Sequence, residues 1–196
     1  LPRLEKLTWE VSRKISNQIT KCKFLTECHL YHIEKARIPD LSKQKFLEVL
    51  SLQNIKDKNE YIPKWIGSCK SLKELVIEYG NIKYLRDSLT NLELDYFSLQ
   101  GNKIQELPKW FNYIRAGHIN IANNEIEELP KSFVNLDYCV NYVSLFGNPL
   151  RVLPKGIEKL KKQVHFWIRD SLGKHCSNLC LQHIDMLEGL HTVYSY

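Results

Sequence analysis

Apolar residues return along the chain in one fixed arrangement. An apolar position is followed by two polar or mixed ones, then a second apolar position, one spacer and a third. Leu4, Leu7 and Trp9 open the series, followed by Leu25, Cys28 and Leu30; Leu47, Leu50 and Leu52; and Leu72, Leu75 and Ile77. Leu94, Phe97 and Leu99; Ala116, Ile119 and Ile121; and Val140, Val143 and Leu145 continue it. The last two members of each set alternate with spacers, the period of a short strand with one buried face. Seven units thus start at residues 4, 25, 47, 72, 94, 116 and 140, at steps of 21 to 25 residues. Pro39, Pro63, Pro108, Pro130 and Pro154 fall at one place within the unit, each directly after an apolar residue. Proline fixes φ and removes a donor, so the strand stops pairing there and the chain swings away. One such unit is too thin to bury its own apolar face. The units must stack, strand beside parallel strand, and share a core.

The best-preserved units are Leu94–Pro108 (LDYFSLQGNKIQELP), Ala116–Pro130 (AGHINIANNEIEELP) and Val140–Pro154 (VNYVSLFGNPLRVLP). All three fit LxxLxLxxNxLxxLP, which resembles the leucine-rich repeat family over about Leu4 to Leu160. The resemblance implies an α/β solenoid, a curved leucine-rich repeat array with a parallel sheet on the concave face. It also implies a structural ladder in which the amides of Asn102, Asn124 and Asn148 bond the backbone of adjacent turns. The repeats of this type are the intracellular and bacterial ones. A scaffold, an adaptor or a bacterial effector in a host cytoplasm fits that type.

The chain departs from the pattern at several places. The Asn column holds Ser12, Ile33, Ile55 and Gly80 in the first four units, which predicts a less regular N-terminal half. Lys56-Asp57-Lys58-Asn59-Glu60 is a polar insertion expected to bulge at a turn, and Arg86 stands where the unit expects proline. Residues 1–160 are assigned to the repeats and 161–196 to a helical C-terminal cap. The apolar residues from Ile157 to Leu190 recur mostly at helical spacing, Gly173 separates two helical pieces, and a short strand at Val164–Phe166 is expected to close the sheet.

Composition narrows the function. The chain has 196 residues, 43% hydrophobic and 26% charged, an ordinary globular balance. No apolar run reaches the roughly 18–20 residues that span a bilayer. Leu1 rather than Met stands first, as in a processed chain or a fragment, so a regulatory arm of a larger enzyme also fits. Six scattered cysteines do not make a disulfide framework and read as reduced thiols, pointing to a cytoplasmic protein. A net charge of +6 permits a nucleic acid or an anionic membrane as partner without demanding either.

The resemblance places partner binding on the concave sheet, where the spacer residues stand in rows. The candidate partner-binding residues are Tyr31, Glu74, Glu78, Tyr79, Tyr96, His118, Tyr142 and Phe146. Exposed aromatic residues on a sheet are anchors of protein interfaces. The same face gathers Glu5, Glu10, Glu27, Glu48, Glu74, Glu78 and Asp95 against Lys6 and Lys73, so the expected protein partner carries a basic patch. Lys64, Lys109, Lys131 and Lys155 each follow a proline and form an outer column. They read first as a solvated face and second as a site for anionic lipid or nucleic acid. His175, Cys176, Cys180 and His183 would share one helical face, but no second ligand pair lies at zinc-finger spacing, and small core cysteines explain them better. No phosphate-binding glycine loop, GxSxG or HExxH is present. The reading is a binding module without catalytic residues, cofactor, metal or small-molecule substrate.

Overall fold

The structure is a computed structural model that describes residues 3–10, 17–32, 38–55, 60–137, 139–162 and 165–167. Its strands are β1 (Lys6–Glu10), β2 (Glu27–Tyr31), β3 (Val49–Gln53), β4 (Glu74–Glu78), β5 (Glu93–Ser98), β6 (Arg115–Asn120), β7 (Tyr142–Ser144) and β8 (His165–Trp167). They form one parallel sheet in strict sequence order, β1 through β8. Between most strands the chain makes one short 3-10 turn, as at Lys64–Ser68, Asp87–Asn91, Lys109–Tyr113 and Lys131–Asn135, whereas the described residues between β2 and β3 contain none. The fold is a solenoid-like stack, one strand per coil. The helical cap assigned to 161–196 lies almost wholly outside the described residues, as does the insertion at 56–59. Strand β8 does add to the sheet beside β7.

The register follows from the apolar triplets. Leu50 is the Cα partner of Leu75, Leu75 of Phe97, Phe97 of Ile119, and Ile119 of Val143. Every triplet from Leu25 onward is buried, while Leu4, Leu7 and Trp9 pack half-buried on the end of that core. Removing each such leucine from water contributes about 1.5–3 kcal/mol. Only the stacked neighbour makes that burial available.

Proline acts where the sequence places it. Pro63, Pro108 and Pro130 precede the 3-10 turns with φ of −56°, −67° and −64°. The lysines that follow are exposed, whereas Trp65 and Trp110, one residue further, pack half-buried against the core. Arg86 replaces this proline with φ −114°, so a proline ring would not fit its backbone. Its guanidinium lies 4.6 Å from the centre of the Tyr61 ring and its Nε donates to the Ile62 carbonyl at 2.9 Å. Tyr61 in turn stacks on Tyr84 at 4.9 Å between ring centres. Arg86→Ala is expected to cost about 1–2 kcal/mol, read from urea denaturation, through loss of one cation–π contact and one charged hydrogen bond.

The three asparagines form a ladder. Asn102 Nδ2 donates to the carbonyls of Ile77 (2.7 Å) and Leu99 (2.9 Å), and its Oδ1 accepts from the Ile82 N–H (3.1 Å). Asn124 repeats this with Leu99 (3.0 Å), Ile121 (3.1 Å) and the Ile104 N–H (3.1 Å). Asn148 repeats it with Ile121 (2.9 Å), Leu145 (3.0 Å) and the Ile126 N–H (3.1 Å).

The N-terminal coils lack these amides, and the coil between β2 and β3 also lacks a 3-10 turn among its described residues, yet the strand pairing is kept. Strands β1 to β4 pair over five residues each. The residue just before the Asn column explains it. His32, Asn54, Tyr79, Gly101, Asn123 and Gly147 all hold φ between 53° and 69°. This left-handed turn aims the backbone N–H at the next coil. His32, Asn54, Tyr79, Gly101 and Asn123 donate to the carbonyls of Gln53, Glu78, Gln100, Ala122 and Phe146 at 2.6–3.0 Å. A backbone ladder therefore links the coils where no asparagine does, and Ile55 fills its column as a buried side chain. At Gly101 the glycine is required twice, by its φ of 69° and because a Cβ would lie 2.6 Å from the Tyr79 ring.

Candidate binding groove on the open sheet face

The spacer residues of the strands form three rows across the open face. One row runs Lys6, Glu27, Val49, Glu74, Tyr96, His118 and Tyr142, each the Cα partner of the next. The middle row runs Thr8, His29, Ser51, Val76, Ser98, Asn120 and Ser144. Parallel register puts side chains of equal position about 4.8 Å apart, so each row is a continuous stripe.

Over β5 to β7 these stripes deepen into a groove of about 510 Å³ with mostly apolar walls. Tyr96, His118 and Tyr142 line it from the first row, Asn120 and Ser144 from the middle row, and Gln100, Ala122 and Phe146 from the turn beyond the strands. The volume falls within the roughly 300–1,000 Å³ typical of ligand pockets. His118 meets Tyr142 edge to face, with ring centres 5.9 Å apart and planes at 87°. Burial lifts the Tyr142 phenol above its ordinary value, opposed by its hydrogen bond with Ser144 and reinforced by Tyr96. The phenol therefore stays neutral and can donate a hydrogen bond.

A polar chain runs from the groove toward the N-terminal coils. The Ala122 N–H donates to Asn120 Oδ1 (3.1 Å), Asn120 Nδ2 donates to Gln100 Oε1 (2.9 Å), and Gln100 Nε2 donates to the Tyr79 hydroxyl (3.0 Å). Tyr79 follows β4 in the left-handed turn and lies over Gly101, with 49% of its surface exposed. Glu78 accepts a hydrogen bond from the Ser98 hydroxyl. Glu74 and Asp95 are exposed on the flank of the groove, Glu74 as the strand partner of Tyr96.

Of the eight residues singled out in the sequence, Tyr96, His118, Tyr142 and Phe146 come together in the groove. Glu74, Glu78 and Tyr79 border it, and Tyr31 stands apart on β2. Gln100, Asn120 and Ala122 complete the lining, legible only as members of the spacer rows.

The outer side has a different character. A broad polar furrow there is lined by Glu106, Glu125, Glu127 and Glu128 together with Lys109. Arg151 pairs with Glu127 at 3.0 Å. Lys109 of the lysine column thus stands beside carboxylates. Cys22, Cys28 and Cys69 are buried free thiols and Cys139 is half-buried. Burial pushes Cys28 up to about 12 and Cys69 to about 11, and burial with the Asp137 carboxylate takes Cys139 to about 11. The Cys28, Cys69 and Cys139 thiols therefore stay protonated at neutral pH and are poor nucleophiles or metal ligands. Among the described residues no His, Cys, Asp or Glu cluster of three or more is arranged for a metal. The cluster from His175 to His183 lies outside the described residues.

Comparison with solved structures places the architecture. A leucine-rich repeat protein of Leptospira interrogans superposes over 93% of this chain with a TM-score of 0.63 and 20% identity. The Toll–Spätzle complex of Drosophila, in its glycosylated form, matches over 85% of the chain with a TM-score of 0.70 and 20% identity. A second structure of that complex matches over the same share at 0.65 and 23%. The fold is that of the leucine-rich repeat proteins. The chain spans 52% of the Leptospira protein and 23% of the matched chain in each Toll–Spätzle structure. No protein-family model and no curated protein sequence matches it.

Proposed function

We propose that this chain is a protein-recognition module that binds a protein partner on a concave sheet face. The observation that carries the reading is the groove walled by Tyr96, His118, Tyr142 and Phe146. It combines amphipathic aromatic walls, a neutral phenol donor and the amides of Gln100 and Asn120. Interface anchors are built from such residues because they offer large apolar area at low entropic cost. Glu74, Glu78 and Asp95 on its flank favour a partner whose apolar anchor is bordered by lysine or arginine. The Toll–Spätzle structures give a precedent for a protein complex built on this fold.

A scaffold, an adaptor, an effector in a host cytoplasm and a recognition arm of a larger enzyme would all use such a groove. A phosphate backbone on the outer lysines is disfavoured, since it would meet Glu106 and Glu128 beside Lys109. Affinity capture from native lysate with the wild-type chain, Tyr96→Ala/Tyr142→Ala and Lys109→Ala/Lys131→Ala tests the reading. Truncating two anchors is expected to weaken a specific partner at least about thirtyfold, with the lysine variant unchanged. Equal capture by the aromatic variant would refute the groove.

A further inference from the structure

A second surface lies away from the groove. Two consecutive coils carry the same pentapeptide pattern before their strands, Lys21-Cys22-Lys23-Phe24-Leu25 and Lys43-Gln44-Lys45-Phe46-Leu47. The 22-residue register of β2 on β3 sets these turns side by side. Cys22, Gln44, Leu25 and Leu47 point inward and are buried. What remains outside is Phe24 and Phe46, 51% and 54% exposed, with rings stacked at 6.3 Å between centres and 11° between planes. Lys21, Lys23, Lys43 and Lys45 around them are all exposed, and Lys70 continues the Lys23–Lys45 column in the next coil.

The turns are held in place from beneath. Gln44 Nε2 donates to the Thr20 carbonyl at 2.9 Å, and Ser71 Oγ donates to the Lys45 carbonyl at 2.6 Å. Of the acids near them in sequence, Glu27 is engaged by Lys6 at 2.6 Å, which leaves Asp40 and Glu48 against five lysines. Two large apolar rings thus stand half-exposed on turns that carry four exposed lysines.

We propose that this edge docks on an anionic lipid bilayer, with Phe24 and Phe46 entering the headgroup region and the lysines lying over the acidic headgroups. The charge is complementary, and each lysine near such a surface adds to binding. Lysine stems also extend beside buried aromatic rings while their ammonium groups stay in water. A single-stranded nucleic acid, which would stack its bases on such rings, is the alternative that the test separates. All five cations are lysines, point charges suited to a diffuse headgroup layer rather than arginine forks that grip one phosphate. Docking through β2 and β3 leaves the groove over β5 to β7 free for its partner.

Co-sedimentation of the full chain with phosphatidylcholine vesicles, and with vesicles of phosphatidylcholine and phosphatidylserine, tests the proposal. The wild-type chain is expected to pellet with the phosphatidylserine vesicles and to stay in solution with phosphatidylcholine alone. Lys23→Glu/Lys45→Glu is expected to lower the partition at least about 25-fold, roughly fivefold for each lysine lost. Phe24→Ser/Phe46→Ser is expected to lower it about tenfold through lost apolar burial. Tyr96→Ala/Tyr142→Ala should keep wild-type partition, which separates this surface from the groove. Circular dichroism checks that each variant is folded; if the phenylalanine variant is not, the lysine variant decides. The proposal is overturned by equal binding to both vesicles, by no binding to either, or by full binding of the folded variants. Tighter binding to a single-stranded oligonucleotide than to phosphatidylserine vesicles would also overturn it.

Discussion

Phe97→Ala is expected to lower the unfolding free energy by about 3–5 kcal/mol, the range for emptying a large aromatic site in a packed core. Phe97 sits in β5 with 1% of its surface exposed, between Leu75 on β4 and Ile119 on β6, both fully buried. The coils on either side are tied by the amides of Asn102 and Asn124, so the walls have little freedom to collapse into the space. In a stack, each coil is stabilised by its two neighbours, and damage at β5 weakens both contacts. Urea denaturation followed by circular dichroism gives the value. A loss under about 1 kcal/mol would mean that the ring does not fill a tightly packed site.

Asn124→Ala is expected to cost about 1–3 kcal/mol, although it removes only a small polar side chain. The amide donates to the Leu99 and Ile121 carbonyls, which keep second donors in Asn102 and Asn148, and accepts from the Ile104 N–H, which alanine leaves without this partner inside the stack. An unsatisfied buried group costs about 1–3 kcal/mol. Asn124→Asp sharpens the test. A carboxylate would keep the acceptor for Ile104 but face the two carbonyls with a negative oxygen. The folded state would then hold that carboxyl above its unfolded value. The penalty is therefore full at neutral pH and relieved as pH falls through the folded value, when the protonated acid can donate. A urea midpoint that rises on mild acidification for Asn124→Asp relative to wild type, which keeps its amide, would show that donation to the carbonyls is what the site requires.

The strands were legible because their signal is repeated. One Leu-x-Leu pair is weak, but seven at regular steps fix a register, and the register fixes which spacers share a row. Proline was legible for a local reason, since its φ suits the residue leading into a 3-10 turn. The left-handed position before the Asn column was not. Glycine or asparagine marks it at Asn54, Gly101, Asn123 and Gly147, but His32 and Tyr79 occupy it too. The inter-coil hydrogen bond carries those side chains through a strained φ, so tertiary structure overrides local preference. That is also why the strand pairing of the N-terminal coils does not follow the asparagine count.

The candidate groove was half legible. Tyr96, His118, Tyr142 and Phe146 were picked as aromatic or polar spacers, and parallel register brings them together. Tyr31 has the same pattern but lies on β2, several coils away, and pattern alone cannot weigh that distance. Phe24 and Phe46 fall just outside the repeat template, where an apolar residue reads as a strand's beginning. Only the exposed positions of the two rings reveal them as a surface.

The central claim is an unbroken parallel stack that lines up the spacer residues in rows. Backbone NOEs linking Val76 to Ser98, Ser98 to Asn120, and Asn120 to Ser144 measure it in solution. The stack predicts amide-to-α-proton contacts in the parallel pattern at each of these three steps, each centred on the residue pair that shares a row. Antiparallel contacts, or a register displaced by even one residue, would contradict it, because a single-residue slip turns the leucines outward and takes the groove apart.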